Sequence, residues 1–101
     1  MKLPKKLIIC GNTYQIKYNP KHNGGSFSCN TQVITIGTRD TKEATFRVLI
    51  HEILEIILSE RDHRYQLNRT EVENGDYLFS FNHSQYENVA YDLAYVLRQM
   101  I

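Results

Sequence analysis

The stretch VLIHEILEIIL, residues 48–58, is apolar except for His51, Glu52 and Glu55. Its apolar side chains recur on most sides of a helical wheel. This pattern predicts a helix that packs against the rest of the chain over much of its surface. Three polar groups in such a helix need a reason. They are either the solvated side of an ordinary helix or ligands of a metal ion.

Short extended segments precede this helix. Residues 7–10 and the alternation of apolar and polar side chains over residues 14–18 predict a hairpin around Gly11-Asn12. The segment SFSCNTQVITI, residues 26–36, predicts a second pair of strands with its turn near Asn30-Thr31. Together these segments predict a small antiparallel sheet.

A capping residue precedes the central helix, and a further extended segment follows the helix. Asp40 or Thr41 can cap a helix that we expect over about residues 41–60. After a polar stretch, Asn74-Gly75-Asp76 predicts a turn, and the alternation over residues 77–82 predicts another strand. The apolar face of the central helix is therefore expected to pack against a sheet.

The last segment predicts an amphipathic helix. Apolar residues recur at helical spacing from Tyr86 to Ile101, and Ser84 and Glu87 form the S-x-x-E pattern of a capping box. We expect this helix over about residues 85–101. With a length of 101 residues and no linker or repeat, the chain is interpreted as one α+β domain, residues 1–101.

Composition excludes several classes of partner. Twelve basic and eleven acidic residues give a net charge of +1, which argues against nucleic acid as a partner. No apolar run approaches the roughly 18 residues of a membrane span. Cys10 and Cys29 form no CxxC pair, so we expect buried thiols and a cytoplasmic location.

Helical geometry brings the three polar residues of the central helix together. At 100° per residue, His51 and Glu55 are roughly 40° apart, and Glu52 is roughly 100° from His51. A solvated face would be expected to include Lys, Arg or Gln, and residues 48–58 contain none of them. Both interpretations stay open, but metal ligation explains the residue types as well as their spacing.

The metal interpretation has a specific chemistry. An imidazole and a carboxylate four residues apart can bind zinc from adjacent turns of a helix. Glu52 is then free to take a proton from an activated water. This is the arrangement of the H-E-x-x-H motif, with Glu55 in the place of the second histidine.

The phrases TFRVLIHEILEIIL and YENVAYDLAYVLRQM, and the order of the elements, resemble the small phage and prophage zincin-like proteins related to ImmA/IrrE-type metallopeptidases. The resemblance implies a zincin-like fold, zinc or another divalent metal, and the cytoplasm of the host cell if the chain is phage-encoded. It also implies that His51 is a ligand and Glu52 the general base, with the second ligand position at Glu55. In the family, an acidic residue of the following helix is the third ligand.

Two residues near the start of the last helix are candidates for the third ligand. We favour His83, because a histidine there would keep a set of two histidines and one carboxylate with Glu55. Glu87 matches the acidic position of the family and is the reserve ligand, although it is also the predicted capping partner of Ser84. His22 and His63 are expected to have ordinary surface and helix-end roles.

These residues predict a zinc-dependent, peptidase-like hydrolase that acts on a peptide or protein. The alternatives are a catalytically inactive zincin-like module that acts by protein contact, and a structural domain without metal. Replacing an imidazole with a carboxylate motivates the inactive alternative, since added negative charge weakens the power of zinc to acidify water. The sequence does not predict an oligomeric state.

Overall fold

The computed structural model describes residues 3–61, 64–66 and 77–101. His63 and the predicted turn at 74–76 lie outside these ranges. The strands and helices follow one another in the order β1 (Lys6–Ile9), β2 (Asn12–Asn19), β3 (Gly25–Ser28), β4 (Val33–Gly37), α1 (Lys42–Glu60), β5 (Arg64–Gln66), β6 (Tyr77–Phe79) and α2 (His83–Arg98). The predicted α+β class is confirmed.

The first four strands form a mixed sheet in the order β1-β2-β4-β3. Both predicted hairpins are present, since β1 pairs antiparallel with β2 and β3 with β4. The two hairpins join through β2 and β4, which are parallel, so the prediction of an antiparallel sheet is wrong at its centre. The apolar strand VITIG lies inside the sheet and GSFS at its edge. Strand patterns specified the hairpins but not the way they join.

The turn of the first hairpin is one residue earlier than predicted. Its two residues are Cys10, with φ of 50°, and Gly11, with φ of 81°. A two-residue turn with positive φ at both positions matches the right-handed twist of the flanking strands, and glycine adopts such a φ without strain. The turn fixes the register in which Leu7 pairs with Tyr14.

The central helix α1 agrees with its predicted span. Thr41 is the N-cap, and its Oγ1 accepts a hydrogen bond from the Ala44 amide at 3.1 Å. The helix ends at Glu60, and Arg61 follows as the C-cap. Of the two residues predicted as possible caps, Asp40 and Thr41, the N-cap is Thr41.

The last helix, α2, begins two residues before its predicted start and ends at Arg98. Its N-cap is Asn82, whose Oδ1 accepts from the Gln85 amide at 2.9 Å, while the Asn82 amide donates to Gln85 Oε1 at 2.8 Å. The predicted capping box of Ser84 and Glu87 is therefore wrong. Asn82 and Gln85 have the same spacing, and asparagine is at least as good an N-cap as serine.

The core lies between the two helices and one face of the four-stranded sheet. Alternate residues of β1, β2 and β4 point toward the helices, as the period of a strand requires. The buried apolar residues are Leu7, Ile9, Tyr14, Ile16, Ile34, Ile36, Leu49, Ile53, Ile56, Ile57, Val89, Val96 and Met100. Among the described residues, neither helix is long and apolar enough to cross a membrane.

Strands β5 and β6 form a second, two-stranded antiparallel sheet after α1. The predicted strand that begins at Tyr77 is confirmed as β6, although it ends at Phe79. Strand β5 was not predicted, because it has three residues within a polar stretch.

An ion pair joins the end of α1 to the middle of α2. The Arg61 guanidinium donates from Nε to Asp92 Oδ2 at 2.6 Å and from Nη2 to Asp92 Oδ1 at 2.9 Å. Paired hydrogen bonds between a guanidinium and a carboxylate fix orientation as well as distance. The contact therefore holds the C-terminal end of α1 against α2, beyond the position of His51, Glu52 and Glu55 in the helix.

Candidate metal centre

His51 and Glu55 lie on adjacent turns of α1, as their spacing predicted. The His51 Nε2 is 3.8 Å from Glu55 Oε2. The His51 side chain is 68% exposed and that of Glu55 is 21% exposed, so the pair lies at the protein surface. A ligand from solution can therefore reach both side chains.

Glu52 differs from its two neighbours because it is buried. Only 4% of the residue is exposed, and it lies beside the buried Ile53 in α1. The interpretation of residues 51, 52 and 55 as one solvated face is therefore wrong for Glu52. Buried carboxylates are uncommon, and they generally accept hydrogen bonds or bind cations.

The three side chains form one group. One ligand atom each from His51, Glu52 and Glu55 lies within 4.8 Å of the other two. An imidazole nitrogen and two carboxylate oxygens are a donor set that zinc accepts. The group could therefore hold a divalent metal ion.

The first two turns of α2 hold the two candidates for the third ligand. His83 and Glu87 form a pair of their own, with His83 Nδ1 3.5 Å from Glu87 Oε1, and both side chains are largely exposed. Neither belongs to the group of His51, Glu52 and Glu55. Ligation by His83 or Glu87 stays a prediction. Because Asn82 and Gln85 form the cap, Glu87 does not have the capping role that the sequence suggested.

Strand β3 runs beside α1, the helix that carries His51, Glu52 and Glu55. A Cβ atom at Gly25 would be 2.8 Å from Val48 Cγ1, so only glycine lets β3 approach the helix this closely. Val48 is one helical turn before Glu52. Strand β3 pairs with β4 on one side and is an edge of the sheet. Edge strands are the positions at which a sheet can take up a further strand.

A second cluster of polar groups, which the sequence did not indicate, lies at the end of α1. Cys10 Sγ is 3.7 Å from Asp92 Oδ2, the carboxylate that also binds Arg61. A groove of about 500 Å³ opens here, and Tyr91 and Tyr95 form one of its walls. The residues come from three separate segments, so no local spacing could have revealed the cluster.

Burial, reinforced by the Asp92 carboxylate, raises the pKa of the Cys10 thiol to about 11. Since a raised pKa favours the neutral thiol, Cys10 contributes stability at neutral pH. This contribution is lost as the pH rises from about 9 to about 11. With Cys29 replaced by serine, we expect Cys10 at pH 8 to react with iodoacetamide roughly 100-fold more slowly than in the same variant unfolded in guanidinium. Mass spectrometry of quenched samples measures this ratio, and equal rates would contradict a partly buried, neutral thiol at Cys10.

The other histidine and cysteine of the described chain have simpler environments. His22 is exposed in the loop before β3, where its carbonyl accepts from the Arg39 amide at 3.1 Å. Cys29 is exposed and free, so the prediction of buried thiols is wrong for this residue, whereas Cys10 is partly buried. Neither His22 nor Cys29 belongs to the group of His51, Glu52 and Glu55.

Comparison of the chain with protein-family models, with curated proteins and with solved structures finds no match.

Proposed function

We propose that the chain is a metal-dependent hydrolase of the peptidase type, with zinc or a similar divalent ion held by His51 and Glu55. The observation that supports it is the convergence of the His51, Glu52 and Glu55 ligand atoms within 4.8 Å of one another. The resemblance of HEILE to the metal-binding helix of phage zincin-like proteins supports the same interpretation. A cytoplasmic location is part of the proposal.

Each residue has a defined part in the proposed reaction. When bound, zinc supplies a Lewis acid that lowers the pKa of a coordinated water to about 7 and polarises the substrate carbonyl. His51 and Glu55 would hold the ion at the surface of α1. Glu52 would accept a proton from a water molecule while the oxygen of that water attacks the carbonyl carbon of the substrate. Glu52 then returns that proton to the nitrogen that leaves when the carbon–nitrogen bond breaks.

The substrate in this proposal is an extended peptide or a flexible segment of a protein. Its support is the position of β3, which is an edge strand of the four-stranded sheet and lies beside α1 at Gly25 and Val48. A peptide that pairs with this edge gains main-chain hydrogen bonds without any required side chain.

A second candidate function is metal-dependent binding without turnover. The group contains two carboxylates and only one imidazole. More negative charge around the ion weakens the acidification of water, and it favours harder cations than zinc. In this case Glu52 is a ligand rather than a base.

Metal binding is the first test. Protein purified without a histidine tag should bind one equivalent of Zn²⁺ in isothermal titration calorimetry at neutral pH. His51→Ala and Glu55→Ala should each weaken the affinity by at least about 100-fold, because each removes a direct ligand. The matched control is His22→Ala, which removes an exposed histidine outside the group and should leave the affinity unchanged.

Two further variants identify the third ligand. If His83→Ala or Glu87→Ala lowers the Zn²⁺ affinity as much as His51→Ala does, the replaced residue is the third metal ligand. If neither variant changes the affinity, Glu52 remains as the third donor of the group. Absence of stoichiometric metal from the wild-type protein would remove the basis of both candidate functions.

A further inference from the structure

The first strand of the sheet has an outer edge that faces away from β2. The Ile16 amide donates to the Lys5 carbonyl at 2.9 Å, so the main-chain groups of Lys5 point toward β2. Because these groups alternate along an antiparallel strand, those of Leu7 and Ile9 also point inward, and those of Lys6 and Ile8 point outward. Among the strands that the structure describes, β1 pairs with β2 alone.

The side chain of Gln99 occupies part of this edge. The Ile8 amide donates to Gln99 Oε1 at 2.8 Å, and Gln99 Nε2 donates to the Ile8 carbonyl, also at 2.8 Å. These are the two hydrogen bonds that a residue of a neighbouring antiparallel strand would make. The carboxamide of Gln99 therefore takes the position of one residue of an added strand.

The surroundings of this contact are suited to strand pairing. A cleft of about 200 Å³ lies along the edge and is lined by Lys6, Leu7, Ile8, Thr13 and Gln99. The Ile8 residue is 39% exposed, although it is a large apolar residue. An edge strand with outward main-chain groups and an exposed apolar side chain is a template for another strand.

We propose that the outer edge of β1 is a pairing surface for β1 of a second copy of this chain, and that the side chain of Gln99 closes it. The edge is complementary to itself. In an antiparallel pair centred on Leu7, Lys6 of each copy lies opposite Ile8 of the other copy. Each of these two Lys6–Ile8 pairs can then form two main-chain hydrogen bonds between the copies.

The side chains fit this arrangement. Lys6 and Ile8 lie on the solvent side of the sheet, since the side chains between and after them, Leu7 and Ile9, are buried. The aliphatic stem of each lysine can cover the exposed isoleucine opposite it, with its ammonium group in water. Two copies cannot pair while the Gln99 side chain is hydrogen-bonded to Ile8, because Gln99 and the second copy need the same Ile8 amide and carbonyl.

The test is the self-association of Gln99→Ala. Sedimentation equilibrium should show the wild-type chain as a monomer at concentrations where the variant forms a dimer. The dimer should be at least about tenfold tighter in the variant, since pairing no longer breaks the hydrogen bonds of Gln99. Gln99→Glu keeps an acceptor for the Ile8 amide but loses the donor, so its dimer should have intermediate strength.

Two measurements separate pairing from a general loss of structure. In Gln99→Ala, hydrogen exchange at the Lys6 and Ile8 amides should slow as the protein concentration rises, whereas a purely structural loss gives fast exchange at every concentration. Adding Ile8→Pro removes an outward donor without breaking a bond to β2, and should return the variant to a monomer. A Gln99→Ala variant that stays monomeric, or a dimer that survives Ile8→Pro, would overturn the proposal.

Discussion

Replacing Glu52 with glutamine should lower hydrolysis of an unfolded protein substrate, such as casein, by about 10²- to 10⁴-fold, the usual contribution of a general base. Glutamine has nearly the shape of glutamate but cannot accept a proton at neutral pH. The buried position of Glu52 beside His51 and Glu55 is the structural reason to expect so large an effect. Release of new amino groups over time measures the rate.

Metal content distinguishes the two roles of Glu52. If Glu52 is the base, Glu52→Gln should keep its metal while kcat falls. If Glu52 is a ligand, the metal affinity should fall as well. The matched control is Glu43→Gln, an exposed glutamate in the first turn of the same helix, which should behave like the wild type. Unchanged hydrolysis in Glu52→Gln would exclude the role as a base.

Replacing Ile53 with alanine should lower the free energy of unfolding by about 2–5 kcal/mol, the range for truncating a buried isoleucine. Ile53 follows Glu52 in α1 and has no exposed surface, because it lies in the core between the helix and the sheet. The loss combines apolar surface that is no longer buried with a cavity that the neighbouring side chains only partly fill. Urea unfolding followed by circular dichroism measures it.

The control for Ile53→Ala is the replacement of a more exposed isoleucine, Ile8, with alanine. Ile8 is 39% exposed, so Ile8→Ala should cost less than half as much as Ile53→Ala. If the two variants lose equal stability, Ile53 does not occupy the core position that its burial indicates. Metal affinity measured in Ile53→Ala would also show whether a loosened core displaces Glu52.

The sequence predicted the local elements better than their assembly. The period of the apolar residues and the cap at Thr41 located α1 to within a residue, because both signals are local to the helix. The parallel pairing of β2 with β4 was missed, since it depends on how two complete hairpins meet. The short strand β5 was missed because three residues are too few to show a period.

For the candidate site too, the sequence predicted what is local to one helix and not what depends on tertiary packing. The spacing of His51 and Glu55 on one helix determines their proximity, so this pair followed from helical geometry alone. The burial of Glu52 did not follow, because it depends on the elements that pack against that side of α1. The role of His83 depends on the relative placement of two helices, which no pattern within either helix specifies.

The parallel junction at the centre of the sheet has a consequence for the order of folding. Ile9 pairs with Asn12 and Ser28 with Val33, so each hairpin closes a short loop. Gln15 and Val33 also pair, but the rest of β2 and the whole of β3 lie between them in the chain, so their pairing closes a longer loop. Short loops close at a lower entropic cost than long ones. The two hairpins are therefore expected to form early and independently, and their docking along β2 and β4 is expected to limit the rate at which the chain reaches its native state.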